Sequence, residues 1–92
     1  MEAQIRSSLR KYIVATWLSG DERGFDDETD LQQSGVLDSF STLALVAFLD
    51  DTYEVQLKPT EVNAETFRSV RQIARLVTDH LQSKAAGKSL AE

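Results

Sequence analysis

The chain has 92 residues, 41% of them hydrophobic, and a formal net charge of −5, which predicts one small domain with a modest core. It contains no cysteine and one histidine, which excludes disulfides and thiolate zinc sites, and we expect no metal site. Between Asp21 and Glu65, 12 acidic residues face two basic ones, so we expect partners with basic patches and no nucleic acid. No apolar run approaches the roughly 20 residues that span a bilayer, and no signal peptide is visible. We therefore expect a cytoplasmic protein without a membrane span.

The first predicted helix covers about Glu2–Leu18, where apolar residues recur at helical spacing and Gly20 can end the helix. Residues 19–38 show no sustained period and are rich in aspartate and glutamate. They do not match a calcium-binding loop, because the glycine needed at its sixth position is missing. We expect a long loop that four apolar residues pin to the domain: Phe25, Leu31, Val36 and Leu37.

The second predicted helix covers Ser39–Tyr53. Asp38 precedes it as an N-cap, since a carboxylate there accepts hydrogen bonds from first-turn amides and complements the positive end of the helix dipole. Residues 43–49 are seven consecutive apolar residues, so this helix is apolar nearly all round. A domain of this size cannot bury every side of one helix, and part of that apolar surface is expected to face outward.

Two further helices are predicted after a link at residues 54–59. Residues 63–67 can form one short helical turn that Asn63 caps. The last helix opens at Ser69, which makes a capping-box pattern with Gln72, and its apolar residues share one face. We see no strand pattern strong enough to build a sheet.

These elements predict an all-α fold, a four-helix bundle with a long first loop and a short third helix. The domain should occupy residues 1–82, whereas residues 83–92 are small and polar and should form a flexible tail. The expected core consists of Ile5, Leu9, Ile13, Leu45, Leu49, Val70, Ile73 and Val77.

Ser39 is the candidate functional residue, because it opens an apolar helix directly after an aspartate. An unassisted serine hydroxyl is a poor nucleophile and needs an adjacent base. The single histidine, His80, is remote in sequence and is expected as an exposed residue near the end of the last helix, and no G-x-S-x-G motif is present. These features disfavour a Ser-His-Asp hydrolase, and we expect no catalytic residue.

The order of these features resembles that of acyl and peptidyl carrier proteins over residues 3–82. The run Gly35-Val36-Leu37-Asp38-Ser39 is similar to their attachment motif, written G-x-D-S-L or G-x-x-D-S. Asp30-Leu31 resembles the family's loop motif, and residues 63–70 resemble its junction between the third and fourth helices. One departure is Phe40, where the family usually has leucine.

The resemblance implies a carrier that catalyses nothing. A phosphopantetheinyl transferase would supply the base and the magnesium and would esterify Ser39 with 4′-phosphopantetheine from coenzyme A, and Asp38 would support the transfer. An adenylating acyl or aminoacyl ligase would load the arm, and downstream acyl-processing enzymes would use the thioester. The Gly-Val-Leu-Asp-Ser form looks more like discrete, monomeric carriers of specialised metabolism, D-alanyl and other aminoacyl carriers included, than fatty-acid-synthase carriers.

The resemblance also implies a partner-docking face on the second helix, with an apolar stripe beside the serine and acidic residues that steer basic partners. Each residue type has a structural alternative, namely core packing for the phenylalanine and a solvated helix end for the acids. The implied docking residues are Phe40, Leu43, Ala47, Asp50, Asp51 and Glu54.

A different class of function stays open beside the carrier. The chain could be a small acidic helical interaction domain that never receives a prosthetic group. The pair Asp38-Ser39 would then be only a helix cap.

Overall fold

The computed structural model describes residues 2–21 and 23–90, with side chains as far as residue 83. Within these ranges the chain forms three α-helices and no strand: α1 (Glu2–Trp17), α2 (Ser39–Tyr53) and α3 (Val70–Leu90). A 3₁₀ helix at Pro59–Glu61 lies between α2 and α3. The predicted all-α class is confirmed. No helix in the described ranges is long and apolar enough to cross a bilayer.

The core lies between the three α-helices, and α1 and α3 are in direct contact. All eight residues predicted for the core are buried, with at most 2% of any of them exposed. Phe25, Leu31 and Leu37, which were expected to pin the first loop to the domain, are also buried, and Val36 is partly buried against the core. The further core members come from α1, α3 and the segments around α2. These additional buried residues are Val14, Phe25, Leu31, Leu37, Val55, Phe67 and Ala74.

Shortly after the end of α1 at Trp17, two consecutive residues adopt the left-handed conformation, Ser19 (φ 53°) and Gly20 (φ 82°). The amide of Gly20 donates to the carbonyl of Val14 at 3.0 Å, so a carbonyl of the last turn is satisfied. Glycine enters this conformation without a Cβ penalty, which explains the predicted role of Gly20 at the end of the helix.

The segment between α1 and α2 is tied to α1 and to the start of α3. Its buried side chains include Leu31 and Leu37, and the amide of Leu31 donates to the carbonyl of Arg68 at 2.7 Å. The carbonyl of Asp27 accepts from the amide of Arg71 at 3.0 Å. The carboxylate of Asp27 lies 3.2 Å from Nη1 of Arg6 in α1. The acidic segment thus reaches α2 in one defined position.

The predicted short third helix is not an α-helix in the structure. Residues 63–67 make a single turn, in which the amide of Phe67 donates to the carbonyl of Asn63 at 3.0 Å. The Asn63 side chain accepts from the amides of Glu65 and Thr66, both at 3.0 Å. The predicted turn and its cap are confirmed, whereas the described part of the chain holds three α-helices. Five residues are too few to repeat the i→i+4 bond that makes helices cooperative.

α3 begins one residue after Ser69, whose hydroxyl accepts from the amide of Gln72 at 3.3 Å as the capping pattern predicts. The helix continues to Leu90, well past Leu81, where its apolar pattern ends. Residues 91 and 92 lie outside the described ranges. The flexibility expected of residues 83–92 concerns motion and stays a prediction.

The prediction for His80 is wrong. His80 lies in the middle of α3, because this helix is longer than expected, and 23% of its side chain is exposed. Its Nε2 atom lies 2.7 Å from Oε2 of Glu61.

Candidate functional site

Ser39 is the first residue of α2, and its side chain is exposed. Asp38 stands before it as the N-cap in an extended conformation, with φ −126° and ψ −169°. Its Oδ1 atom accepts from the amide of Ser41 at 2.9 Å, and its carbonyl accepts from the amide of Thr42 at the same distance. The predicted first residue of α2 and the predicted N-cap are both confirmed.

Ser41 completes the cap in the opposite direction. Its Oγ atom accepts from the amide of Asp38 at 2.8 Å and lies 3.1 Å from the carbonyl oxygen of Val36 and 3.0 Å from Oδ1 of Asp38. Ser41 is 6% exposed. Ser41 was not among the predicted site residues, although a serine three positions after a capping aspartate is a usable signal of a capping box.

Hydrogen bonds at the start of α2 stabilise the negative charge of the Asp38 carboxylate. The hydrogen bond from the Ser41 amide, followed by that from the Ser41 hydroxyl, lowers the pKa of the Asp38 carboxyl below its ordinary range. The carboxylate is therefore ionised at neutral pH, beside the positive end of the α2 dipole. The same helix end also favours an anion that approaches Ser39.

Two open grooves border the start of α2. One, of about 360 Å³, separates it from the turn at residues 63–67, and its lining includes Ser39, Thr42 and Asn63. The other, of about 300 Å³, lies on the side of α1, and its lining includes Trp17 and Phe40. The Ser39 hydroxyl is thus accessible, and space on both sides can receive a covalently attached chain.

The apolar stripe of α2 faces outward. Phe40 is 83% exposed and Leu43 is 69% exposed, and Ala47 is exposed as well. Leu45 and Leu49 point to the core instead, where both are fully buried. Core packing is therefore not the role of Phe40.

The three acids at the other end of α2, Asp50, Asp51 and Glu54, are also exposed. Glu54 ends the helix with φ 56°, and its amide donates to the carbonyl of Asp50 at 2.9 Å. These acids line an open groove of about 690 Å³, whose opposite wall includes His80 of α3. The stripe and the acids thus occupy successive parts of one helix surface, beginning next to Ser39.

His80 lies too far from Ser39 to act as its general base. His80 borders the groove at the C-terminal end of α2, whereas Ser39 opens that helix. At 1.5 Å per residue, the length of α2 separates the two ends by about 22 Å. No cluster of three or more histidine, aspartate or glutamate side chains that could hold a metal occurs in the described ranges.

Comparison with known proteins gives a consistent result. The family described as phosphopantetheine attachment site matches residues 11–77. The chain is 30% identical over 67 residues to a D-alanyl carrier protein of Lactococcus lactis subsp. cremoris (strain MG1363), covering 73% of this chain and 85% of that protein. It is 29% identical over 73 residues to the probable acyl carrier protein PigG of Serratia sp. (strain ATCC 39006), covering 79% and 84%.

Proposed function

The chain belongs to the phosphopantetheine attachment site family of carrier proteins, and on that basis we propose that it is a discrete acyl or aminoacyl carrier whose arm is attached to Ser39. The family is not catalytic, and its covalent prosthetic group is 4′-phosphopantetheine. When bound, this group supplies a terminal thiol that carries the cargo as a thioester.

The observation that carries the proposal is the exposed hydroxyl of Ser39 on the first residue of a capped helix. A phosphopantetheinyl transferase must reach this oxygen from outside, and the open grooves on both sides permit that approach. Ser39 Oγ would form a phosphodiester with the phosphate of the arm, as the pyrophosphate linkage of the donor coenzyme A breaks and adenosine 3′,5′-bisphosphate leaves. Its proton passes to a base that the transferase supplies, since the one histidine of the chain borders the groove at the other end of α2.

Asp38 supports this transfer in two ways. Its carboxylate holds the first turn of α2 through the amide of Ser41 at 2.9 Å, so the helix start is ordered before the transferase arrives. Its charge lies next to the serine and can face the magnesium ion that the transferase carries, because carboxylate oxygens are preferred ligands of that ion.

The stripe of Phe40, Leu43 and Ala47 forms the partner-docking surface beside the arm. Large exposed apolar side chains next to each other are typical of interaction sites. The acidic residues Asp50, Asp51 and Glu54 extend this surface and steer partners with basic patches.

The relatives support a proposal for the class of cargo. Two of them are named D-alanyl carrier protein and probable acyl carrier protein, which supports an acyl or aminoacyl thioester as the cargo. An adenylating ligase would load it, and downstream acyl-processing enzymes would accept it. The protein would act as a cytoplasmic monomer in specialised metabolism. Residues 1–82 would form the carrier domain, in which the turn at residues 63–67 takes the place of the third helix of a four-helix bundle.

Intact-mass spectrometry after coexpression with a broad-specificity phosphopantetheinyl transferase tests the proposal. The protein should gain the mass of one phosphopantetheine, and Ser39→Ala should gain nothing. Ser34→Ala is the matched control, because Ser34 is another exposed serine of the preceding segment, and it should be modified normally. An unmodified wild-type protein would instead favour an interaction domain without a prosthetic group.

A further inference from the structure

We propose that Ser41 is a positioning residue for the attachment of the arm, which it serves by fixing the backbone and the carboxylate on either side of Ser39. The inference rests on the proposed function of Ser39. We assign Ser41 no contact with the arm or with the attacking oxygen, and its effect passes through Asp38.

Two hydrogen bonds enclose Ser39 in a small closed ring. The amide of Asp38 donates to Oγ of Ser41 at 2.8 Å, and the amide of Ser41 donates to Oδ1 of Asp38 at 2.9 Å. Ser39 lies in the chain between these two residues, so the ring restrains its backbone from both sides. An exposed side chain on a fixed backbone can be presented in one position, although nothing packs against it.

A third contact extends this restraint to the preceding segment. Oγ of Ser41 lies 3.1 Å from the carbonyl oxygen of Val36 and 3.0 Å from Oδ1 of Asp38, and its single proton is donated to one of these two oxygens. The hydroxyl therefore joins the end of the loop at Val36 to the first turn of α2.

The same contacts orient the carboxylate of Asp38. The amide of Ser41 donates to Oδ1, and the hydroxyl lies 3.0 Å from the same oxygen, so Oδ1 is held at the helix start and Oδ2 is the oxygen that Ser41 leaves to a partner. Oδ2 then has a defined direction in which to meet the cation carried by a transferase. A free carboxylate on a helix end would have to be ordered during the reaction, at a cost in rate.

Packing alone does not explain a serine at this place. Ser41 is 6% exposed, and burying a hydroxyl is unfavourable unless it is hydrogen-bonded. Alanine would occupy less space and has the higher helix propensity. The contribution of Ser41 therefore lies in its hydrogen bonds to Asp38 and Val36.

The test compares Ser41→Ala with Ser69→Ala, using a transferase, coenzyme A and Mg²⁺. Ser69 is the matched control, because it is a 4% exposed serine whose hydroxyl also caps a helix, but α3 rather than α2. Ser41→Ala should slow modification of Ser39 roughly ten- to a hundredfold and raise the Mg²⁺ concentration needed for half-maximal rate. Ser69→Ala should change neither quantity, and Ser41→Thr, which keeps the hydroxyl, should restore most of the rate.

A second readout is independent of the transferase. Carboxyl NMR titration should show a higher pKa of Asp38 in Ser41→Ala than in the wild type, because one of the hydrogen bonds that lower it is gone. If Ser41→Ala does not fold, Ser41→Cys keeps the size of the side chain with weaker hydrogen bonds and should be slowed as well.

The outcomes separate the two proposals. Wild-type modification of Ser39 with an equal rate in folded Ser41→Ala would overturn the role of Ser41 and leave the carrier function intact. An equal slowing in Ser69→Ala would also overturn it, since general destabilisation would then account for the effect. Absence of modification in the wild type would overturn both proposals.

Discussion

The Nε2 atom of His80 lies 2.7 Å from Oε2 of Glu61, which joins the middle of α3 to the end of the 3₁₀ helix. The other carboxylate oxygen of Glu61 accepts from the amide of Lys58 at 2.9 Å. The carbonyl of Glu61 accepts from the hydroxyl of Thr66. Glu61 therefore holds together the link after α2, the turn at residues 63–67 and α3.

Acid should weaken this junction. The hydrogen bond from the Lys58 amide, followed by that from His80, lowers the pKa of the Glu61 carboxyl. Its ionised form therefore stabilises the fold above the ordinary carboxyl pKa of about 4.3, and this contribution is lost as the pH falls through the lower folded pKa. Glu61→Gln should lose up to about 1 kcal/mol at neutral pH and show a shallower decline in acid.

Urea denaturation at a series of pH values would measure this dependence. Glu65→Gln is the control, since it removes the same charge from an exposed residue of the neighbouring turn, and it should keep the wild-type slope. An acid dependence in Glu61→Gln as steep as that of the wild type would show that other carboxylates are responsible.

The arm should bring the only thiol of the protein, because the chain has no cysteine. A maleimide should therefore label the transferase-treated protein once and leave the untreated protein and Ser39→Ala unlabelled. The reaction can be followed by intact mass. Labelling that persists in transferase-treated Ser39→Ala would move the attachment site to another residue.

Packing in the core should be sensitive to truncation on α2 and α3. Leu49→Ala and Ile73→Ala each remove a fully buried side chain, and each should cost about 2–5 kcal/mol of the free energy of unfolding. Leu43→Ala, on the same helix as Leu49 but 69% exposed, should change it by at most about 0.5 kcal/mol. Chemical denaturation that finds either core variant neutral would contradict this packing.

The elements with a local signal were predictable from the sequence. α2 begins and ends where expected, because Asp38 supplies a cap that requires only its own neighbours. The outward position of Phe40 and Leu43 was predictable as well, because α2 has more apolar surface than a domain of this size can bury.

The elements that depend on distant contacts were not predictable. His80 contacts Glu61 across 19 positions in the chain, and no local pattern encodes such a pair. The turn at residues 63–67 and its Asn63 cap were predicted, whereas the burial of Phe67 depends on its contacts with the rest of the core.

The apolar stripe should matter for docking and little for folding. If Leu43 contacts the ligase, Leu43→Ala should weaken binding of the holo protein roughly tenfold, mainly through faster dissociation. Stopped-flow binding to the ligase, or to the transferase in its place, would measure both rates. Thr52→Ala, an exposed change near the other end of α2, serves as the control. An unfolded Leu43→Ala would assign the stripe to the core.

The acidic end of α2 should act on the association rate. Asp50→Lys combined with Asp51→Lys should slow association and reduce its dependence on salt, because exposed charges steer the encounter over a Debye length of about 10 Å at 0.1 M salt. The dissociation rate should change little. An effect confined to dissociation would indicate that these acids form close contacts in the complex instead.

The position of Trp17 gives this protein a built-in optical reporter. It is the only tryptophan of the chain, and it lines one groove together with Asp38 and Phe40. Its ring also meets that of Tyr12 edge-on, with the centroids 5.5 Å apart. A chromophore coupled to the thiol of the arm would accept energy from this single indole, whose position in the fold is known. Energy transfer between the two could therefore report the movement of the arm without a second label introduced into the polypeptide.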